Sequence, residues 1–302
     1  MVDGPIGFIG TGNIGTPMAA NLILAGYELH VYDLDPTRCE ALLELGAELG
    51  GSPRELAESC SLLMTSLPGP PEVEEVLLGA EGILKGASPG AIYVDLSTNL
   101  PSVVSRLAAA AADAGVTMLD APVSGGVAGA EEATLAVMVG GDEAAFEQCR
   151  PLFEAIGENV FYMGASGQGA LVKLINNQVS LSARQVVVEA LVLARKAGLD
   201  PAKAHAVMAV SSAGPHVGRS ERLLAREFDA PTFTLQLAAK DLGLAQQVAR
   251  DAGAPAPLAA AAFDALVRAL GRGYGGLGTD ATTLVYEEGA GLDPAMGDER
   301  AP

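Results

Sequence analysis

Short, nearly uninterrupted apolar runs punctuate the first half of the chain: IGFI (6–9), ELHVYD (28–33), SLLMTSL (61–67), AIYVDLS (91–97), VTMLDAPV (116–123), LAVMVGG (135–141) and NVFYMG (159–164). Runs of this length without strict alternation suit strands covered on both faces, the situation of a parallel sheet. Helical spacing fills most of the gaps. NIGTPMAANLILAG (13–26) closes on Gly26, and the next stretch opens at Pro36 and ends at Gly46. SPRE (52–55) reads as a capping box, with Ser52 at N-cap, Pro53 at N1 and Glu55 at N3. Strand–helix alternation at this spacing predicts a doubly wound α/β domain over residues 1–165.

The pattern changes near residue 165. From there the apolar periodicity is helical and Ala-rich. GQGALVKLINNQVSLSARQVVVEALVLARKAG (167–198) keeps helical spacing up to Arg195, Lys196 and Gly198, a stop signal. As one helix it spans about 45 Å at ~1.5 Å per residue, long enough to connect two domains, so 166–198 is read as a connecting helix. Residues 199–290 offer five or six more helices, an all-α second domain. The Gly-, Pro- and charge-rich tail 291–302 is expected to be frayed.

Composition narrows the function. The chain has 302 residues, 49% of them hydrophobic, and a formal net charge of −19 from 37 acidic and 18 basic residues. That balance argues against nucleic acid and anionic membranes as partners, because phosphate binding needs clustered Lys and Arg. Cys39, Cys60 and Cys149 are widely spaced and odd in number, which fits reduced thiols rather than disulfides or a metal site. No apolar run reaches the ~18–20 residues of a membrane span. The first strand starts too soon after Met1 to leave room for a signal peptide, so the expected location is the cytoplasm.

The loop after the first strand carries the first candidate chemistry. In FIGTGNIG, Gly10, Gly12 and Gly15 form GxGxxG between a strand and a helix, with Thr11, Asn13 and Ile14 completing the loop. Gly10 permits the tight turn, Gly12 lets a pyrophosphate approach the backbone, and Gly15 lets the helix pack closely. Asp33 ends the second strand, where a carboxylate accepts from a ribose 2′-hydroxyl and repels a 2′-phosphate. With Leu34 next in line, NAD is favoured, and Arg38 nearby keeps NADP open.

Five segments then fall in a single order: GFIGTGNIGTPMAANL (7–22), DLSTNLP (95–101), DAPVSGG (120–126), GQGALVKLINNQ (167–178) and KDLGLA (240–245). Together they resemble the β-hydroxyacid dehydrogenase family, which includes 3-hydroxyisobutyrate dehydrogenase and tartronate semialdehyde reductase. The resemblance implies a Rossmann-type domain, a long connecting helix and an all-helical second domain, with the active site in the cleft between them. It implies Lys173 as the catalytic lysine and Asn177 as its partner one turn on. It places Ser124, Gly125 and Gly126 on the substrate carboxylate, Thr98 on the nicotinamide side, and Leu67 and Pro68 against the adenosine half. Phe233 and Lys240 would serve the substrate, and Lys240 with Asp241 the cofactor. The chain departs from the family's pattern at Ile14, often Met, and at Ala133, often Gly. Glu131 and Glu132 add acidic charge beside the carboxylate loop.

The implied reaction moves a hydride between NAD and a small 3-hydroxy acid, or reduces the matching semialdehyde, with 3-hydroxyisobutyrate favoured. A donor must sit beside the oxygen that becomes alkoxide-like, and Lys173 can protonate it or accept its proton in reverse. No metal is required, and His30, His205 and His216 read as structural or exposed. Rival readings are a tartronate or succinic semialdehyde reductase using NADPH, an imine reductase, whose members commonly lack this lysine, and a non-enzymatic dinucleotide-binding module. A homo-oligomer, dimer or tetramer, is expected. Lys173, Asn177, Ser180 and Arg184 fall at i, i+4, i+7 and i+11, one polar stripe on an apolar rod buried between the domains. Asn176 and Gln178 point elsewhere on this reading.

Overall fold

The apolar runs of the first half become strands: 6–9 and 159–164 keep their full length, 116–123 breaks into two short strands, and the others lose a residue or two at an end. The computed structural model describes residues 4–218, 220–229 and 231–293, and the chain divides into two compact units, Met1–Lys173 and Leu174–Pro302. The first unit runs β1 (Ile6–Ile9), α1 (Gly15–Leu24), β2 (Leu29–Tyr32), α2 (Glu40–Glu44), β3 (Glu48–Leu49), α3 (Pro53–Ser59), β4 (Leu62–Thr65) and α4 (Pro70–Leu78). It continues β5 (Ile92–Asp95), α5 (Pro101–Asp113), β6 (Thr117–Asp120), β7 (Val123–Ser124), α6 (Gly126–Glu131), β8 (Ala136–Gly140), α7 (Glu143–Ile156) and β9 (Asn159–Gly164).

The sheet order is β3-β2-β1-β4-β5-β6-β8-β7, with β9 also on β8. Strands β3 to β6 pair in parallel. β8 runs antiparallel to β6 and β7, and β9 parallel to β8. The parallel reading therefore stops at β6, because a parallel crossover needs a dozen or more residues and the link from β7 to β8 holds only the short α6 and a turn. Successive residues point to opposite faces. Phe8, Met64, Val94 and Leu119 join one core with Met18 and Leu22 of α1 and Phe146 and Leu152 of α7. Ile9, Leu63 and Tyr93 join the other with Leu56, Val73, Val104 and Leu107. Both faces are covered, as the unalternated runs require.

Chain order reverses between β1 and β4, so the loops that leave their C-terminal ends flank the crevice where open α/β sheets take ligands. The capping box forms in part: Ser52 Oγ accepts the Glu55 amide at 3.1 Å, but Glu55 reaches back to the Gly51 amide at 3.1 Å, one residue early.

α8 (Gln168–Lys196) is a single helix of 29 residues, and the boundary between the two units falls inside it. It stops as its sequence indicates. Gly198 takes φ +80 and Leu199 N–H donates to Ala194 O at 2.9 Å, a Schellman closure. The second unit adds six helices among the described residues: α9 (Pro201–Ala209), α10 (Gly214–Val217), α11 (Glu221–Leu224), α12 (Leu235–Asp251), α13 (Pro257–Gly271) and α14 (Thr282–Gly289). Residues 294–302 of the expected frayed tail lie outside the described residues.

The polar stripe and the buried rod both need correction. Arg184 is structural: its guanidinium makes a two-pronged pair with Asp280 (2.6 and 2.5 Å) and donates to Ser220 Oγ at 2.9 Å. Ser180 is exposed. α8 is not covered all round, because Ile175, Val179, Val186 and Leu193 are each more than half exposed. At 100° per residue these four fall within about 40° of one another, a continuous apolar line that the sequence cannot distinguish from core.

Candidate dinucleotide and acid–base site

Two of the three glycines of the first loop are demanded by geometry. Gly10 has φ +92, and a Cβ there would drive into the Ser66 carbonyl. A Cβ on Gly15 would overlap the Gly10 carbonyl. Gly12 faces open space, its nearest neighbour Arg38 Nη1 at 3.6 Å from a built Cβ. α1 begins after Ile14 with no side-chain cap, so its first backbone N–H groups need an acceptor. Loop and helix start together fit the pyrophosphate of a dinucleotide. Asn13 is exposed at the tip, and Thr11 is buried.

Asp33 is tied to this loop. Its Oδ2 accepts the Thr11 amide at 2.9 Å and its Oδ1 the Asp35 amide at 3.0 Å. The carboxylate is thus held at the end of β2 while remaining half-exposed. The loop after β4 lies alongside: Leu67 N–H donates to Ser97 Oγ at 2.9 Å, Leu67 Cδ2 sits 2.9 Å from a built Gly10 Cβ, and Pro68 is exposed. Thr98, one residue past Ser97, is half-buried. The structure therefore gathers Gly10–Gly15, Asp33 and Leu67 around the ends of β1, β2 and β4, as the fingerprint predicts, with Ser97 and Thr98 following β5.

Two carboxylates beneath these loops escaped the sequence reading. Asp95 and Asp120 end β5 and β6 as register partners, both buried. Burial pushes the Asp95 carboxyl above its ordinary range, opposed by hydrogen bonds from Ser97, Asn99 and Thr65. Burial pushes Asp120 up to about 6, opposed by the backbone amides of Gly167 and Ala170. Each Asp stands at the end of an apolar run, a position that could have flagged it.

Ser124 ends β7 half-buried, and Gly125 and Gly126 follow exposed at φ +143 and +70. Nothing lies within 4 Å of a built Gly126 Cβ, so the backbone there is open, while a Gly125 Cβ would press on Leu135 at 2.9 Å. Ala133, the departure from the family's Gly, takes φ +54. A non-glycine residue there costs on the order of 1–2 kcal/mol, and the chain carries that strain between α6 and β8.

Lys173 lies on α8 at the end of the first unit, only 9% exposed. In the second unit Asn177 Nδ2 donates to Asp241 Oδ2 at 2.8 Å, and Lys240 Nζ pairs with Asp241 Oδ1 at 2.8 Å. Asp241 bridges them from within the core. Asn176 is exposed, and its Nδ2 donates sideways to Asn177 Oδ1 at 3.2 Å, which helps fix that amide. Phe233 is exposed. It lines a cavity of about 270 Å³ with Arg184, Arg222, Thr232 and Asp280, whose walls do not include Lys240, Asp241 or Asn177.

Among the described residues no helix is long and apolar enough to cross a membrane. Residues 5–164 match the NAD binding domain of 6-phosphogluconate dehydrogenase, and residues 167–287 match the NAD-binding region of NADP-dependent 3-hydroxyisobutyrate dehydrogenase. The chain is 38% identical over 277 residues to the NAD-dependent L-serine dehydrogenase of Pseudomonas aeruginosa, covering 89% of this chain and 93% of that one. It is 41% identical over 247 residues to the 2-hydroxy-3-oxopropionate reductase of Escherichia coli, covering 81% and 84%. The crystal structure of 3-hydroxyisobutyrate dehydrogenase from Salmonella typhimurium superposes with a TM-score of 0.87 at 29% identity, over 94% of this chain and all of that one. With both halves matched and the glycine cradle built, the chain belongs to the β-hydroxyacid dehydrogenase family, NAD(P)-dependent oxidoreductases acting on the CH–OH group of hydroxy acids.

Proposed function

We propose that the protein interconverts a small 3-hydroxy acid and its semialdehyde with NAD, using Lys173 as the general acid and base. The observation that carries this is Lys173 itself, a buried cation on a helix whose first turn is docked on the nucleotide-binding sheet. Gly10, Thr11, Gly12, Asn13, Ile14 and Gly15 would hold NAD, which would supply or accept the hydride. Lys173 Nζ gives a proton to the aldehyde oxygen in reduction and takes it from the alcohol in oxidation. Asn177, one turn on along the same helix and oriented by Asp241, steadies the ammonium or the substrate hydroxyl. Ser124 and the open backbone at Gly125 and Gly126 receive the carboxylate. Thr98, Leu67 and Pro68 serve the cofactor, Phe233 and Lys240 the substrate, and Lys240 with Asp241 the cofactor, as the family resemblance implies. The sequence division into 1–165, 166–198 and 199–290 is retained as the domain scheme.

The names of the relatives suggest what the substrate shares. L-Serine, 2-hydroxy-3-oxopropionate and 3-hydroxyisobutyrate each carry an oxygen function on the carbon two away from a carboxylate carbon. We favour 3-hydroxyisobutyrate or a close 2-substituted 3-hydroxypropanoate. Asp33 favours NAD, since its carboxylate would repel a 2′-phosphate. In a panel of these acids with NAD and NADP, followed at the nicotinamide absorbance band, the expected result is turnover of at least one acid, with NAD preferred tenfold or more. No turnover of any acid with either cofactor would sink the reading.

A homo-oligomer is also proposed. The exposed line Ile175, Val179, Val186 and Leu193 on α8, together with α9, which buries none of its residues, leaves apolar helix surface for a second copy to cover. Light scattering should give a mass at least twice 30.6 kDa, and Val186→Glu with Leu193→Glu should shift it toward one chain. A single-chain mass for the unaltered protein would refute this. The three free, buried cysteines suit the cytoplasm, the proposed location.

A further inference from the structure

Gly167 precedes the first residue of α8 and has no side chain to offer as a cap. A helix start needs acceptors for its first amides; the Gln168 amide finds the nearby Ala165 carbonyl at 3.1 Å, and the acceptor for two others comes from far away in sequence. Asp120 Oδ1 accepts the Gly167 amide and Oδ2 accepts the Ala170 amide, each at 2.8 Å and fully buried. Charged acceptors make the stronger class of hydrogen bond, and a carboxylate at a helix N-terminus also meets the positive end of the helix dipole.

The docking is as close as backbone permits. A Cβ on Gly169 would collide with the Met138 carbonyl and press on the Asp120 carbonyl (2.8 Å) and Oδ2 (3.0 Å). A Cβ on Gly140 would meet Asp120 Oδ1 (2.7 Å), the Ala165 carbonyl (2.8 Å) and the Gly169 amide (2.9 Å). The first turn of α8 is thus seated on the ends of β6 and β8 with no room for a methyl group. Lys173 is three residues beyond Ala170, on the same side of the helix. β8 also carries Ser124 through its pairing with β7.

We propose that Asp120 is the positioning residue for Lys173: its two-pronged clamp fixes α8 on the sheet, so that the lysine is referenced to the same sheet that carries the nucleotide loops and the Ser124 loop. This rests on Lys173 being the acid and base. Asp120 does not touch the reacting atoms on this reading; it acts through the helix.

The test is a double-mutant cycle with Asp120→Asn and Lys173→Ala, read in kcat, in KM and in the Kd for NADH. Asn keeps the shape, but only one of its two atoms can accept, so one amide loses its partner. The expected result is a fall in kcat of about tenfold to a hundredfold, with NADH Kd within threefold of the unaltered protein. In the Lys173→Ala background the same change should have no further effect on the residual rate. Asp120→Glu, which keeps the charge and displaces the carboxylate by a methylene, should also lower kcat with NADH binding retained. An unchanged kcat in Asp120→Asn, or an undiminished effect in the Lys173→Ala background, would overturn the proposal. Loss of NADH binding in both Asp120 variants would overturn it too, by making the residue part of the general scaffold. Full activity in Lys173→Ala alone would instead overturn the acid–base assignment.

Discussion

Lys173→Ala lowers kcat by about 10²–10⁴-fold, the usual worth of a positioned general acid or base, while the Kd for NADH stays within about threefold. The two halves of this expectation have separate structural causes. The nucleotide cradle is built by the loops after β1, β2, β4 and β5, in which Gly10 and Gly15 make backbone-to-backbone approaches and Asp33 holds the Thr11 amide. Lys173 stands on α8, outside all of those loops. Removing its side chain takes away the proposed proton donor and leaves the cradle's hydrogen bonds intact. Lys173→Arg sharpens the test. It preserves the positive charge, so a purely electrostatic role would survive it, but a guanidinium does not give up its proton in a protein. Arg should therefore be nearly as inactive as Ala. Stopped-flow or steady-state kinetics with NADH fluorescence titration measures both quantities. If Lys173→Arg retained most of the rate, Lys173 would be a charge anchor and the proton would have to move elsewhere.

Much of this site was legible in the sequence because its pieces are local. GxGxxG specifies its own turn, and Asp33 ends an apolar run. Lys173 and Asn177 are one helical turn apart. What could not be read are contacts made by chain folding back on itself. Asp120 reaches residues 47 and 50 positions away, and Asp241 reaches Asn177 across 64. The motif that contains Asp120 drew attention to its glycines because they are unusual in composition, whereas the carboxylate works by geometry alone. Helical periodicity turns Asn176 off the Lys173 stripe, but it cannot show that the amide bonds sideways to its neighbour. In the fold, β3 and β7 went unread because two residues cannot show a period. The direction of β8 depends on the link before it rather than on its own residues. α8 was read as fully buried because periodicity identifies which residues are apolar, not which of them are covered.

Glu287→Ala should destabilise the protein by about 3–5 kcal/mol, the range for breaking a buried ion pair by removing one partner. Glu287, on α14, is buried and holds two arginines at once. Its Oε1 pairs with Arg195 Nη1 at 2.5 Å and Arg226 Nη1 at 2.6 Å, and its Oε2 with Arg226 Nη2 at 2.9 Å. Leu191, Val192, Leu223 and Leu224 line the neighbouring cavity of about 90 Å³. Without the carboxylate, both guanidinium groups would lose the acceptor they share. Arg226 adds to the cost, since it sits at φ +57, a conformation unfavourable for a side-chain-bearing residue. The pair with Glu287 offsets that strain, and its loss would release the turn between α11 and α12. Melting should shift down by on the order of 10 °C for a unit of this size. The next residue provides the control. Glu288 also pairs with an arginine, Arg272, at 2.7 Å, but both side chains are about half exposed. An exposed pair is worth less than about 1 kcal/mol, so Glu288→Ala should barely move the melting temperature. Equal shifts for the two variants, measured by calorimetry at the same pH and salt, would show that burial does not set the value of these pairs. A large shift for Glu287 alone ties the stability of the second unit to a single carboxylate shared by α8, α14 and the turn after α11.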